Sequence, residues 1–139
     1  MQQHLHEFVI ATSGRGMLDF TAEVVSWVAS CGVREGLLTL HVRHTSASLL
    51  IQENADPAVQ SDMERFLERL VPDGDAIYRH TAEGADDMPS HVRTALTATS
   101  LSIPVQDGRP ALGTWQGIYL YEHRVAPHRR RVAAHLLGA

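Results

Sequence analysis

The chain has 139 residues, of which 44% are hydrophobic and 20% are charged, and its formal net charge is −4. This length fits one domain with a sizeable core, and the acidic balance argues against a general nucleic-acid binder. All twelve basic residues are arginine, which excludes Schiff-base chemistry and a Walker-type phosphate loop. Cys31 is the single cysteine, so an intrachain disulfide and a multi-cysteine zinc cluster are excluded as well.

The sequence leads us to expect neither a membrane-spanning helix nor a signal peptide. No apolar run approaches the roughly 20 residues that a membrane-spanning helix needs. The N-terminal segment MQQHLHEFVI lacks the basic start and the small-residue cleavage site of a signal peptide. We therefore expect a cytoplasmic protein with neither a membrane partner nor a nucleic-acid partner. Nine histidines are many for this length, so histidine and carboxylate would supply the ligands of any bound metal.

The first part of the chain predicts a strand followed by a helix. Residues 4–11 alternate apolar and polar side chains, as a half-buried strand does. Asp19 is a suitable N-cap for a helix over residues 20–31, in which apolar residues recur at helical spacing. Cys31 falls within that apolar stripe, so we interpret it as core packing rather than as a nucleophile.

Two strands and a second helix are predicted next. The strands cover residues 36–45 and 47–53 and are joined tightly at the segment HTSA. Asp56 is placed to cap the helix, and Pro57 suits its first position. The predicted apolar face of this helix consists of Val59, Met63, Phe66, Leu67 and Leu70.

The second half predicts a loop, a short helix and three strands. Residues 79–90 show little periodicity and read as the loop, and Pro89 begins the helix. The residues expected to pack inward from this helix are Val92, Ala95, Leu96 and Thr99. The three strands are predicted at 100–106, 110–122 and 130–137. A turn at Asp107 and Gly108 joins the first two of them. These elements predict one α+β domain over residues 1–139, rich in antiparallel strands, with two to three helices.

Five polar residues stand out because four lie at the end or edge of a predicted apolar face and one leads the loop: His44, Glu53, Asp62, His80 and His91. At such places a side chain can be half-buried and still reach a pocket. Imidazoles and carboxylates that converge suit a divalent metal or acid–base chemistry. The alternative is that each is hydrogen-bonded to nearby backbone, since no HExxH-type motif is present.

Two further stretches contain candidate ligand-binding residues. Thr45 and Ser46 either close a turn or present hydroxyl and N–H groups to a phosphate. Gln116 shares a predicted strand face with apolar residues, so it either orients a ligand or makes a structural hydrogen bond across the sheet. Tyr119 lies on the opposite face and is a candidate for a subunit interface. Arg124, at the strand end, either binds an anion or is solvated.

Three segments, in this order, resemble the signature of the YjbQ-like family: HTSASLLIQEN.DP....DMERFL, H...GADDMPSH and GTWQGIYL.EHR. The match runs from about residue 5 to residue 138 without a large gap. The resemblance implies a compact, jelly-roll-like β-sandwich with helices on one side, assembled as a homotrimer with a metal pocket near the subunit boundary. The activity that it implies is that of a secondary thiamine-phosphate synthase.

Carried over by position, the resemblance also implies roles for individual residues. His44, His80 and His91 would hold one divalent metal, with zinc as the expected ion and magnesium as the alternative. Glu53 and Asp62 would be catalytic, by orienting a metal-bound histidine or by moving a proton. The substrate-binding candidates, which would contact a small phosphorylated metabolite, are Thr45, Ser46, Gln116 and Arg124.

Thiamine-phosphate synthesis joins a hydroxymethylpyrimidine diphosphate to a thiazole phosphate and releases pyrophosphate. It therefore needs a cation that stabilises the leaving group and a pocket that excludes water. Two other classes of function would use the same residues: a metal-dependent hydrolase of a small phosphorylated metabolite, and a non-enzymatic trimer that binds a metabolite or a metal. Product analysis separates the synthase from the hydrolase, and a metal-free trimer of unchanged melting temperature favours the third.

Overall fold

The computed structural model describes residues 1–139 and contains three helices and eight strands. The helices are α1 (Thr21–Cys31), α2 (Pro57–Leu70) and α3 (Asp87–Leu96). The strands are β1 (Gln2–Ala11), β2 (Gly16–Asp19), β3 (Gly36–Val42), β4 (Ala47–Glu53), β5 (Ser100–Gln106), β6 (Arg109–Pro110), β7 (Gln116–Glu122) and β8 (Arg129–Gly138). The predicted α+β class with antiparallel strands is confirmed. None of the helices has the length and hydropathy needed to cross a bilayer.

The strands form two antiparallel sheets that share one core. The five-stranded sheet has the order β1-β8-β3-β5-β6, and the three-stranded sheet has the order β2-β7-β4. Strands from opposite ends of the chain pair along their whole length, with Phe8 of β1 opposite Val132 of β8. Seventeen buried apolar residues form the core, and they include Val24 of α1, Leu40 of β3 and Ile118 of β7. Both sheets and α1 therefore contribute to a single hydrophobic cluster.

The region around β7 differs from the expected pattern in two ways. The predicted strand over 110–122 is interrupted, because Oε1 of Gln116 accepts a hydrogen bond from the Gly113 N–H at 2.8 Å and closes a turn before β7. Tyr119 is only 2% exposed within the single chain, and its hydroxyl donates to the Glu53 carbonyl oxygen at 3.2 Å. The interpretation of Tyr119 as an interface residue is therefore wrong.

Helix α1 begins one residue after its predicted start and buries its predicted apolar face, whereas α2 begins as predicted but buries little of its apolar stripe. The Asp56 carboxylate caps α2 by accepting from the Ala58 N–H at 2.9 Å, as expected. Of the predicted apolar stripe of α2, however, only Leu67 is buried, while Phe66 is 61% exposed and Leu70 is 55% exposed. No layer of this chain packs over those two side chains.

Helix α3 begins at Asp87, two residues before the predicted start at Pro89. Its buried face is polar, because it meets polar groups of neighbouring elements rather than the hydrophobic core. Arg93 donates to Glu64 Oε1 at 2.7 Å, and the Ser90 hydroxyl donates to the His123 carbonyl oxygen at 2.7 Å. The prediction that apolar residues of this helix face inward is wrong in consequence. The earlier start adds a first turn that carries Asp87.

Candidate metal centre

Two histidines and one aspartate meet where the loop after residue 79 joins the first turns of α3. His80 Nε2 lies 2.7 Å from Asp87 Oδ2, and His91 Nε2 lies 3.2 Å from the same oxygen. Asp87 and His91 are four residues apart in the helix, so their side chains lie on one face. The three candidate ligand atoms all lie within 4.8 Å of one another. Local helix geometry and one loop residue thus assemble a possible ligand set within a single chain.

The Asp87 carboxylate is the buried member of this set. It is 2% exposed, and burial disfavours its charged form. Hydrogen bonding with His80, together with the charges of His91 and Arg124, outweighs burial and lowers the pKa of Asp87 from its ordinary value. Arg124 donates from Nη1 to Asp87 Oδ1 at 2.8 Å. One carboxylate oxygen therefore faces an arginine, and the other faces two imidazoles.

The hydrogen bonding of His91 defines which of its nitrogens can bind a cation. Its Nδ1 lies 2.9 Å from the Thr45 carbonyl oxygen, which can only accept, so Nδ1 carries the hydrogen. In a neutral ring, Nε2 then presents a lone pair to the Asp87 carboxylate. His91 Nε2 and Asp87 Oδ2 would then be two acceptors that face each other at 3.2 Å. This arrangement is favourable only if the ring gains a proton at Nε2 or if both atoms bind the same cation. Metal-ligating histidines characteristically donate their other N–H to a backbone carbonyl, as His91 does.

The residues fit a divalent ion in chemistry and in spacing. Imidazole nitrogen and carboxylate oxygen suit zinc, whereas magnesium prefers oxygen ligands and retains its waters. Ligands about 2.0–2.2 Å from an ion lie about 3–4 Å from one another. The distance between His91 Nε2 and Asp87 Oδ2 already falls in that range, and His80 would have to withdraw from Asp87 by about half an ångström. Three protein ligands would leave coordination positions free.

A cavity of about 300 Å³ adjoins the cluster on the side of His80. The imidazole of His80 is 50% exposed and lines this cavity together with Tyr78, Met88 and Pro89. Small-molecule sites typically have volumes of about 300–1,000 Å³, so the cavity is at the lower end of that range. A ligand bound there would contact one of the candidate metal ligands directly.

His44 lies outside this cluster in the single chain. Its Nε2 accepts a hydrogen bond from the Arg131 N–H at 2.8 Å, so that nitrogen is committed to strand β8. Burial, followed by the charge of Arg130, lowers the pKa of His44 and favours the neutral ring. The third position that the resemblance assigned to His44 is filled here by Asp87. A role for His44 in metal binding stays a prediction.

The two expected catalytic carboxylates do not join the cluster either. Glu53 Oε2 accepts from the Asp56 N–H at 3.3 Å, at the start of α2. Asp62 is exposed on α2. Neither carboxylate shares a hydrogen bond with His80 or His91. Their catalytic roles remain predictions for which the single chain provides no contact.

The expected substrate-binding residues have other partners. Thr45 touches the cluster, but through its carbonyl oxygen rather than its hydroxyl. Ser46 is 9% exposed, and its hydroxyl accepts from Arg130 Nη2 at 3.0 Å. Gln116 makes the turn-closing contact described above. Arg124 binds acidic and carbonyl oxygens of residues 83–87. Substrate binding by these four side chains stays a prediction.

Sequence reasoning missed Asp87 as a site residue because it placed that residue in a loop. The signal was nevertheless present: Asp87 and His91 have the spacing that places two side chains on one helical face. A predicted start of α3 at Asp87 instead of Pro89 would have placed Asp87 and His91 on the same face of the helix. The contact between Arg124 and Asp87 joins positions 37 residues apart and carries no local signal.

The fold and the cluster together define a single α+β domain with a candidate metal centre of two histidines and one aspartate. The chain belongs to the family described as UPF0047 protein YjbQ-like, whose model matches residues 6–139. This confirms the resemblance noted in the sequence.

Relatives and solved structures agree with this assignment. The chain is 52% identical to UPF0047 protein sll1880 of Synechocystis over 137 residues, which cover 99% of this chain and 93% of that protein. It is 48% identical to UPF0047 protein YjbQ of Escherichia coli O157:H7, with coverages of 93% and 94%. The crystal structure of hypothetical protein APE1520 from Aeropyrum pernix is similar, with a TM-score of 0.89, 31% identity and coverages of 98% and 99%.

Proposed function

We propose that the protein is a metal-dependent enzyme that binds one divalent ion, preferably zinc, through His80, Asp87 and His91. The observation that carries this proposal is the arrangement of His91. Its Nδ1–H is committed to the Thr45 carbonyl oxygen, while its Nε2 faces the Asp87 carboxylate at 3.2 Å. When the ring is neutral these two groups are facing acceptors, and a cation bound by both would satisfy them, while the carbonyl contact would keep the ring oriented.

The reaction that we propose is thiamine-phosphate synthesis, which the family resemblance implied. A bound divalent ion would supply positive charge to the departing pyrophosphate. The chain's own contribution would be to hold the substrate in the cavity beside His80, against Tyr78 and Met88. Arg124 is poorly placed to supply that charge, because each of its guanidinium nitrogens already donates to a protein oxygen.

Hydrolysis of a small phosphorylated metabolite is the second candidate function. It is favoured by the 50% exposure of the His80 side chain, which leaves the centre accessible to water. A synthase has to keep water away from its reactive intermediate, whereas a hydrolase requires water at the same place. The two functions therefore differ in product rather than in the residues that they use.

Mass spectrometry of the products tests both functions. Purified protein loaded with zinc would be incubated with hydroxymethylpyrimidine diphosphate and thiazole phosphate, alongside the variants His91→Ala and His135→Ala. The synthase proposal expects coupled product and pyrophosphate from the wild type and from His135→Ala, and neither from His91→Ala. Hydrolysed substrate without coupled product would favour the hydrolase instead. No zinc-dependent product from any sample would contradict both proposals.

We propose further that the protein assembles as a homotrimer. Support comes from four exposed apolar side chains on the outer face of the five-stranded sheet, which no element of the chain covers: Leu5, Val9, Leu37 and Leu137. Exposed apolar side chains that share one face are typical of protein–protein contacts. Light scattering at micromolar concentration should return three times the chain mass of 15.3 kDa. A mass equal to one chain would contradict the assembly.

A further inference from the structure

Arg124 makes a set of contacts that suggests a role beyond charge neutralisation. We infer that Arg124 is a positioning residue for the proposed metal centre, because it holds Asp87 with Oδ2 turned toward the two histidines. The inference rests on the proposed function, since it concerns how that centre is kept in shape. It assigns to Arg124 a role different from the substrate binding expected from the sequence.

Three separate hydrogen bonds hold the guanidinium. Nη1 donates to Asp87 Oδ1 at 2.8 Å, Nε donates to Asp86 Oδ2 at 2.9 Å, and Nη2 donates to the Glu83 carbonyl oxygen at 2.9 Å. The Arg124 side chain is 15% exposed, so these contacts are largely shielded from solvent. A planar guanidinium with donors in fixed directions can hold several oxygens at once, which a lysine cannot do.

These contacts bear directly on which carboxylate oxygen reaches the histidines. A carboxylate held only at Oδ2 can rotate about its terminal torsion, which has broad and nearly two-fold preferences. The bond from Arg124 to Oδ1 opposes that rotation and leaves Oδ2 facing His80 and His91. Outer contacts of this kind orient metal ligands and affect affinity without touching the ion.

Arg124 is itself anchored to a rigid part of the fold. The backbone N–H of Arg124 donates to Glu122 Oε2 at 3.2 Å, and Glu122 is fully buried in β7. The next N–H, that of Val125, donates to Asp86 Oδ2 at 3.0 Å. Through these contacts, the end of strand β7 helps to fix the position of Asp87 at the start of α3. The loop alone does not determine it.

Cobalt(II) binding tests this role without relying on catalysis. Cobalt affinity would be measured by chelator competition for the wild type, Arg124→Gln, Arg124→Lys and the control Arg34→Gln, whose exposed arginine pairs with Asp107. Loss of an outer-shell partner typically lowers metal affinity 10–100-fold, and we expect Arg124→Gln to fall in that range. Arg124→Lys should lower cobalt affinity about tenfold, because lysine keeps the positive charge but lacks the planar guanidinium with its several donors. Arg34→Gln should match the wild type.

The visible spectrum of bound cobalt supplies a second readout. We expect it to change in both Arg124 variants as Asp87 loses its fixed orientation, and to stay unchanged in Arg34→Gln. Wild-type affinity and an unchanged spectrum in Arg124→Lys would overturn the inference, and this holds even if Arg124→Gln fails to fold. Failure of the proposed centre itself looks different: the wild type would bind no cobalt, or His91→Ala would bind it equally well, and the inference would fall with it.

Discussion

Glu122 and Arg130 form a buried ion pair that joins the two sheets of the fold. Glu122 lies in β7 of the three-stranded sheet, Arg130 lies in β8 of the five-stranded sheet, and their side chains are 0% and 4% exposed. Arg130 Nε donates to Glu122 Oε1 at 2.8 Å, and its Nη2 donates to Oε2. The Thr12 hydroxyl adds a bond to Oε1 at 2.7 Å. Removal of either charge would leave the other buried without its partner.

Replacement of Arg130 by methionine should therefore reduce stability strongly. Breaking a buried pair from one side typically costs about 3–5 kcal/mol, because an uncompensated charge remains inside. The matched control is Arg131→Met, in the next position of β8, whose side chain is 54% exposed and pairs with Glu7. That change should cost less than about 1 kcal/mol. Urea unfolding measures both, and equal losses for the two variants would contradict the burial argument.

The same pair should produce a characteristic dependence of stability on pH. Burial opposes ionisation of Glu122, but bonds from Arg130 and Thr12 outweigh it and lower the pKa of the carboxyl from its ordinary value of 4.5. The unfolded state therefore takes up the proton first, and the contribution to stability is present above about pH 4.5 and is lost below it. The stability gap between wild type and Arg130→Met should narrow as pH falls from 7 to 4. A constant gap would show that the charge state of Glu122 is irrelevant.

His123 should remain neutral throughout the physiological pH range. Its ring is fully buried, and this burial, reinforced by the charge of Arg93, lowers its pKa to about 3. The contact of its Nε2 with the Ser48 hydroxyl, at 2.8 Å, is compatible with a neutral ring. The unfolded chain binds a proton near pH 6.5, so this residue stabilises the fold above that pH and the contribution declines toward pH 3. Ring resonances followed by NMR should not shift between pH 8 and pH 5, and a titration in that window would contradict the prediction.

Cys31→Ala should leave metal content intact. The side chain is partly buried and packs against the hydrophobic core, and burial raises the pKa of its thiol, which disfavours a reactive thiolate. Stability should fall by about 1 kcal/mol from lost packing. Elemental analysis and thermal unfolding measure the two effects. Loss of metal from a folded variant would show that the thiol takes part in the site.

Much of the fold could be predicted because local patterns determine it. Alternating side chains marked β1, β3, β4 and β5, and the Asp56-Pro57 start of α2 was correct because capping depends on adjacent residues. Strand β2 and the polar inner face of α3 could not be predicted in this way. Arg93 is fully buried because Glu64, 29 residues away, accepts its hydrogen bond, and no local pattern encodes that partner.

The candidate site was predictable to a similar extent. His80 and His91 were both expected from the sequence, and the structure brings them together, with ring centres 5.5 Å apart. Asp87 was missed because a two-residue error in the start of α3 hid its helical relation to His91. His44 was expected beside them, but its ring bonds to the backbone of Arg131 in β8, a contact set by the pairing of distant strands.

Elemental analysis of purified variants tests the metal centre most directly. The wild type should carry about one zinc per chain, and His80→Ala, Asp87→Asn and His91→Ala should each lose most of it. The surface controls His4→Ala and His135→Ala should retain the metal, because neither ring belongs to the cluster. His44→Ala tests the separate prediction that His44 also takes part in metal binding, which the cluster itself does not require. Equal metal in all six variants, or loss in His44→Ala with full retention in Asp87→Asn, would contradict the centre described here.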